Sequence, residues 1–211
     1  MVDIDVALVR LRLASDQSES MQWGLRHRQD DLLDLEEDVR LVASGRTTGR
    51  VVIDEAEDIR RSVAVYTTDH LLEIKVAIDR ASLTLAVATS DGDVPPDLAV
   101  RLKRLIGNAT RETLRANAHL AGVVNALRRI SQAVPGEEDL ARTAQVSIDS
   151  AAAQLDSARR ATFRIGAPPR RRARAEGDLR SKGSGDCQHT AQNGPTRAAK
   201  HRTGGRPTST A

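Results

Sequence analysis

Apolar side chains return every three or four residues along the first forty positions, as Ile4, Ala7, Leu11, Ala14, Ser18, Met21, Leu25, Arg28, Leu32, Leu35, Val39 and Val42. Only Ser18 and Arg28 are polar, and a row with this spacing is the buried seam of a long helix. The row keeps its phase across Gly24, so one helix is expected from about Asp3, a suitable N-cap, to about Ala43, with Ser44-Gly45 as the stop. The competing reading breaks it at Trp23-Gly24, because glycine inside a helix costs about 1 kcal/mol.

Three more rows follow. The second helix is expected over about 51–89, with the seam Val52, Ala56, Ile59, Val63, Tyr66, His70, Ile74, Ile78, Ala81, Leu85, Ala88. Two successive steps of four after His70 are a stutter, which relaxes left-handed supercoiling locally. Asp54 and Glu57 suit a capping box if the helix starts late. The third, over about 96–132, follows the breaker Ser90-Asp-Gly-Asp-Val-Pro-Pro96. Its seam reads Leu98, Leu102, Leu105, Ala109, Glu112, Ala116, Leu120, Val123, Leu127, Ile130, again with a stutter near the middle, and Pro135-Gly136 stops it. The fourth, over about 137–165, opens on Glu137, Glu138 and Asp139 and closes on Arg159, Arg160 and Arg164, charges that suit its two ends. Its alanine-rich seam, Ala141, Ala144, Ile148, Ala151, Leu155, Ala158, Thr162, Ile165, permits close approach but buries little, so this helix is expected to be the least firmly held.

Short connections between helices of similar length force antiparallel neighbours. The expected class is all-α: four long antiparallel helices over 1–165, as an up-down-up-down bundle or an extended coiled-coil-like bundle. A splayed coiled coil completed by dimerisation is the rival, since a seam reads the same whether its partner is in cis or in trans. From Gly166 periodicity ends, and 166–211 is expected to be a disordered, Arg-rich tail.

Composition sharpens this picture. Trp23, Tyr66 and Phe163 are the only aromatic residues, so the core is built from small aliphatics, which suits helices and disfavours a β-sandwich. The net charge of +3 hides a division: residues 166–211 hold ten Arg and Lys against three acids, which leaves 22 against 26, a net of −4, for the rest. Cys187 is the lone cysteine and allows neither an internal disulfide nor a Cys-based zinc site within one chain. No apolar run approaches the roughly 20 residues of a membrane span, and the start lacks the pattern of a secretory signal, so a cytoplasmic protein is expected.

Candidate chemistry is sparse, and no catalytic, cofactor or metal residues are assigned. Antiparallel pairing sets Arg28 level with Tyr66, and His70 level with Ala116 and about a turn from Glu112. Arg28, Tyr66, His70 and Glu112 thus form a mid-bundle polar band, read first as a layer that fixes register and second as a pocket for a small ligand. A carboxylate-bridged di-metal centre needs Glu-x-x-His pairs, and none occurs. Phosphate-binding glycine loops and dinucleotide fingerprints are also absent. In the tail, Arg170, Arg171, Arg172, Arg174, Arg180, Lys182, Arg197, Lys200, Arg202 and Arg206 suit sequence-independent phosphate contacts with DNA or RNA, without aromatic residues for base stacking.

His119-Leu-Ala-Gly122 resembles the helix of histidine phosphotransfer modules over these few residues, without the lysine and glycine that those modules place downstream. Trp23-Gly24 resembles the Trp-x-Gly turn of small helical-hairpin proteins exported by specialised secretion systems of Gram-positive bacteria, but here the two residues are adjacent. The functional expectation is a non-enzymatic scaffold or interaction protein that meets a protein partner or a second copy through its helices. Nucleic-acid association through the tail is the alternative, and a signal-sensing or phosphotransfer-like bundle a further one.

Overall fold

The first helix runs unbroken through Gly24. In the computed structural model, which describes residues 3–134 and 139–166, α1 spans Asp3–Ala43 and buries Ala7, Ala14, Ser18, Met21, Leu25, Leu32, Leu35 and Val39. Its 41 residues make a rod about 60 Å long. It ends where the sequence indicates, on a left-handed glycine: Gly45 has φ 70°, its N–H bonds the Val42 carbonyl at 3.0 Å, and the Arg46 N–H reaches back to Leu41 at 2.9 Å. That Schellman arrangement satisfies two carbonyls the helix leaves open. Gly92, with φ 78°, repeats it at the end of the second rod through Asp93 N–H and the Ala88 carbonyl.

The second rod comprises α2 (Gly49–Val65), a π-helical segment (Tyr66–His70) and α3 (Leu71–Ser90). This corrects the expected stutter. The buried row runs Val52, Ala56, Ile59, Val63 and resumes at Leu71, Ile74, Ile78, Ala81, Leu85, Ala88, one residue later than a steady repeat allows. The wide π turn absorbs that residue, so Leu71 takes the core position and Tyr66 and His70 are left half-buried. The hydroxyls of Thr67 and Thr68 donate to the Ala64 carbonyl at 2.7 and 3.3 Å, supplying partners within the widened turn. No capping box forms at the start of α2: Asp54 pairs with Arg50, and Glu57 with Arg60 and Arg61.

α4 (Pro96–Ser131) starts on its proline, which needs no N–H at that position. It carries no stutter. The buried row is Ala99, Leu102, Ile106, Ala109, Thr113, Ala116, Leu120, Val123, Leu127, Ile130, an unbroken alternation of three and four. Leu98 and Leu105 of the expected seam flank that row half-buried, and Glu112, though buried, lies beside it. α5 (Leu140–Gly166) follows, and the expected stop at Pro135-Gly136 and the acids Glu137 and Glu138 lie outside the described residues. Ala144, Ala151, Ala158 and Ala161 are buried with Ile148, Leu155 and Ile165, so the alanines do bring this helix close to its neighbours.

The architecture is an all-α bundle with no strand among the described residues. α1 packs on the α2–α3 rod, that rod on α4, α4 on α5, and α5 returns to α1. Cross-rod contacts fix the directions. Arg10 bonds Thr84 and Gln17 bonds Glu73, so α1 and α3 are antiparallel; Gln29 meets Arg159 while Ser15 lies by Gly166, so α1 and α5 are antiparallel too. No helix is long and apolar enough to cross a membrane among the described residues.

Candidate functional site

The mid-bundle band is centred on the π segment, which touches both α1 and α4. Tyr66 and His70 stack on each other, with ring centroids 5.2 Å apart and planes 28° from parallel. Tyr66 lies against Gly24 of α1: a Cβ at that glycine would fall 2.7 and 2.8 Å from the ring carbons Cζ and Cε1, and nearer still to the hydroxyl. Gly24 therefore serves as the notch for the tyrosine ring, a role that needs an absent side chain and not a turn.

The other two members face elsewhere. Arg28, half-buried, places Nη1 2.6 Å from Asp31 Oδ2 on its own helix. Glu112 is 8 % exposed and turns toward α5. Its Oε1 accepts from Arg115 Nη1 at 2.6 Å, and its Oε2 lies 3.9 Å from Arg164 Nη1. No described hydrogen bond, ion pair or ring contact joins Arg28 or Glu112 to the Tyr66–His70 stack. Arg28 Nε, Asp31 Oδ2 and Glu112 Oε2 are buried without a hydrogen-bond partner. These are tolerable costs where an ionic neighbour lies within 4 Å, as at Asp31 and Glu112.

The arrangement offers little to a ligand. A dimple between α3 and α4, lined by Lys75, Ile78, Asp79, Thr110, Thr113 and Leu114, has a volume of about 20 Å³, room for about one water. Among the described residues no three His, Cys, Asp or Glu side chains gather as a metal-holding group. His119, the residue of the phosphotransfer resemblance, is half-buried, with Nδ1 2.8 Å from Gln154 Oε1 of α5. The ten basic tail residues, from Arg170 to Arg206, lie outside the described residues.

Electrostatic strain collects at the other end of the α1–α2 face. Burial, with Asp58, Asp31, Asp38 and Asp34 around it, pushes the Glu55 carboxyl above its ordinary value. Two residues on, Glu57 is held down to about 2, because Arg60 grips it with two hydrogen bonds of 2.6 Å and Arg61 adds a third at 2.9 Å.

The feature that sequence patterning passed over is on the outside. Trp23 is 61 % and Phe163 60 % exposed, so two of the three aromatic residues stand in solvent. The Gln29–Arg159 and Ser15–Gly166 contacts bring them to the same height on neighbouring rods. Their lack of fit to the buried rows was the available signal. Comparison with family models, curated proteins and solved structures finds no match to this chain.

Proposed function

We propose that the protein is a non-enzymatic helical-bundle scaffold that acts by contact of its outer faces with a protein partner or a second copy of itself. The carrying observation is the exposure of Trp23 and Phe163 on adjacent rods. Large aromatic side chains are the residues most enriched in binding surfaces, where they bury much area at low entropic cost. The interior supports the same reading: His119 is bonded to Gln154 and Glu112 to Arg115, and the dimple between α3 and α4 holds no more than a water.

Affinity capture after in-cell cross-linking tests it, comparing the intact chain with Trp23→Ala and Phe163→Ala. Both changes are exposed and are expected to leave stability within about 0.5 kcal/mol. Proteins captured by the intact chain and lost with either variant support the reading; a chain that captures nothing and stays monomeric contradicts it, and capture of the same set by all three removes Trp23 and Phe163 from the contact.

The local charge of +7 over 166–211 favours a second reading, phosphate contacts with DNA or RNA. A gel-shift series measures it: binding that weakens steeply with salt and disappears with residues 166–211 supports it, and binding unchanged by that deletion removes it.

A further inference from the structure

α3 carries apolar residues on two opposite faces, with Glu73, Lys75, Asp79 and Arg80 between them. Leu71, Ile74, Ile78, Ala81, Leu85 and Ala88 face the core, yet Leu72, Val76, Leu83 and Val87 are 55, 37, 67 and 48 % exposed. A helix packed on one side only carries polar residues on the side left in water, and α3, one rod of a four-rod ring, departs from this on its outer face. Single exposed aliphatics are ordinary. These four, however, fall within about 60° of arc along about 23 Å of helix, which makes them a stripe.

The stripe is symmetric. Its spacings are four, seven and four residues, so Leu72 and Val87 lie equally far from the midpoint between Asp79 and Arg80, as do Val76 and Leu83. An isologous contact asks for this property, because whatever residue i meets on the other copy must meet i in return. We propose that α3 seats the α3 of a second copy, antiparallel about that midpoint, with Leu72 against the partner's Val87 and Val76 against the partner's Leu83. The two Asp79 carboxylates then share one flank, where each is already neutralised by Lys75 of its own helix at 2.5 Å. Arg80, long enough to turn its head outward, lies on the other flank. This names the partner for one outer face and rests on the surface-contact reading above.

Light scattering on the full chain across a concentration series is expected to show a dimer. Leu83→Glu, which enters the interface twice, is expected to weaken it about a hundredfold, while the far-UV circular dichroism spectrum keeps its helicity because Leu83 is exposed in the single chain. Val9→Glu, on the outside of α1, is the control and leaves the dimer intact. Register is read in a Cys187→Ser background. Chains with Val76→Cys, mixed with chains with Leu83→Cys, oxidise to a mixed dimer. Val76→Cys alone does not, since the two copies of that position are about 10 Å apart along the axis. A monomer at every concentration, a dimer indifferent to Leu83→Glu, or Val76→Cys linking to itself overturns the proposal. If the chain is monomeric while Trp23→Ala still loses a captured protein, this proposal falls and the surface-contact reading stands; if nothing is captured either, both fall.

Discussion

Replacing Gly24 with alanine pits two effects of known size against each other. In a helix interior alanine is favoured over glycine by about 1 kcal/mol, and α1 is helical through this position. The added Cβ, however, would lie 2.7 Å from Tyr66 Cζ and 2.8 Å from Cε1, well inside the roughly 3.5–4.0 Å at which carbon atoms attract. The ring must move, and it is stacked on His70. Overpacking of this kind costs about 1–3 kcal/mol, so Gly24→Ala is expected to destabilise by about 1 kcal/mol net. In a bundle of this size that is about 2–4 °C in Tm. Tyr66→Ala empties the notch, and in that background Gly24→Ala is expected to stabilise by about 1 kcal/mol, a coupling of about 2 kcal/mol. Urea titrations of the four proteins, followed by far-UV circular dichroism, complete the cycle. If Gly24→Ala stabilises equally with and without the tyrosine ring, the notch reading is wrong.

Two glutamates on α2 are expected to respond to pH with opposite signs. Glu57, held down to about 2, contributes stability that is fully present above about pH 4.5 and lost as pH falls through about 2. Glu57→Gln should therefore cost about 0.5–1 kcal/mol at pH 7, after allowance for solvent screening, and nothing at pH 2. Glu55 is pushed up by burial and by the acids around it, so its ionisation opposes folding as pH rises through its folded value. Glu55→Gln is expected to raise Tm at pH 7, with the gain vanishing below the ordinary glutamate range; a loss at pH 7 would contradict the repulsion. Deleting Thr68 removes the residue that the π turn absorbs and lets the second rod run on as α-helix, at a change of less than about 1 kcal/mol. Deleting Ser82 instead turns Leu85 and Ala88 out of the core and is expected to cost about 3 kcal/mol or more. Equal losses in the two melts would sink the one-residue explanation.

Legibility in the sequence followed from what phase can encode. The α1 row is read correctly because its three-four spacing stays in phase along the whole helix, whereas the apolar residues off it, Leu8, Val9, Leu13, Trp23 and Leu33, make no second row of that length and are exposed. In α4 two adjacent rows are apolar, and choosing Leu98, Leu105 and Glu112 over Ala99, Ile106 and Thr113 created a stutter that the helix lacks. Spacing alone does not separate the two rows, and position between the neighbouring rods decides burial. Near His70 the extra residue was visible, and its resolution as a π turn was not, because that depends on threonine hydroxyls and on the ring seated at Gly24. For the polar band, antiparallel arithmetic gave heights along the bundle. It gave no azimuth, which is why Glu112, on the α5 side of α4, meets Arg115 and Arg164 and not His70. The exposed stripe on α3 was written in the sequence as well, but among so many aliphatics it became distinct only when the buried row was known.

The whole description depends on four rods closing a ring within a single chain, with α5 laid back along α1. Ser15 and Gly166 test this directly, because a Cβ at Gly166 would lie 3.3 Å from the Ser15 Cβ, close to the spacing of a disulfide. In a Cys187→Ser background, the Ser15→Cys/Gly166→Cys chain is expected to oxidise to an internally cross-linked species that migrates at the mass of one chain and keeps its helicity. Cross-links that form only between chains would show the seams completed in trans, and failure to cross-link at all would show α5 lying away from α1.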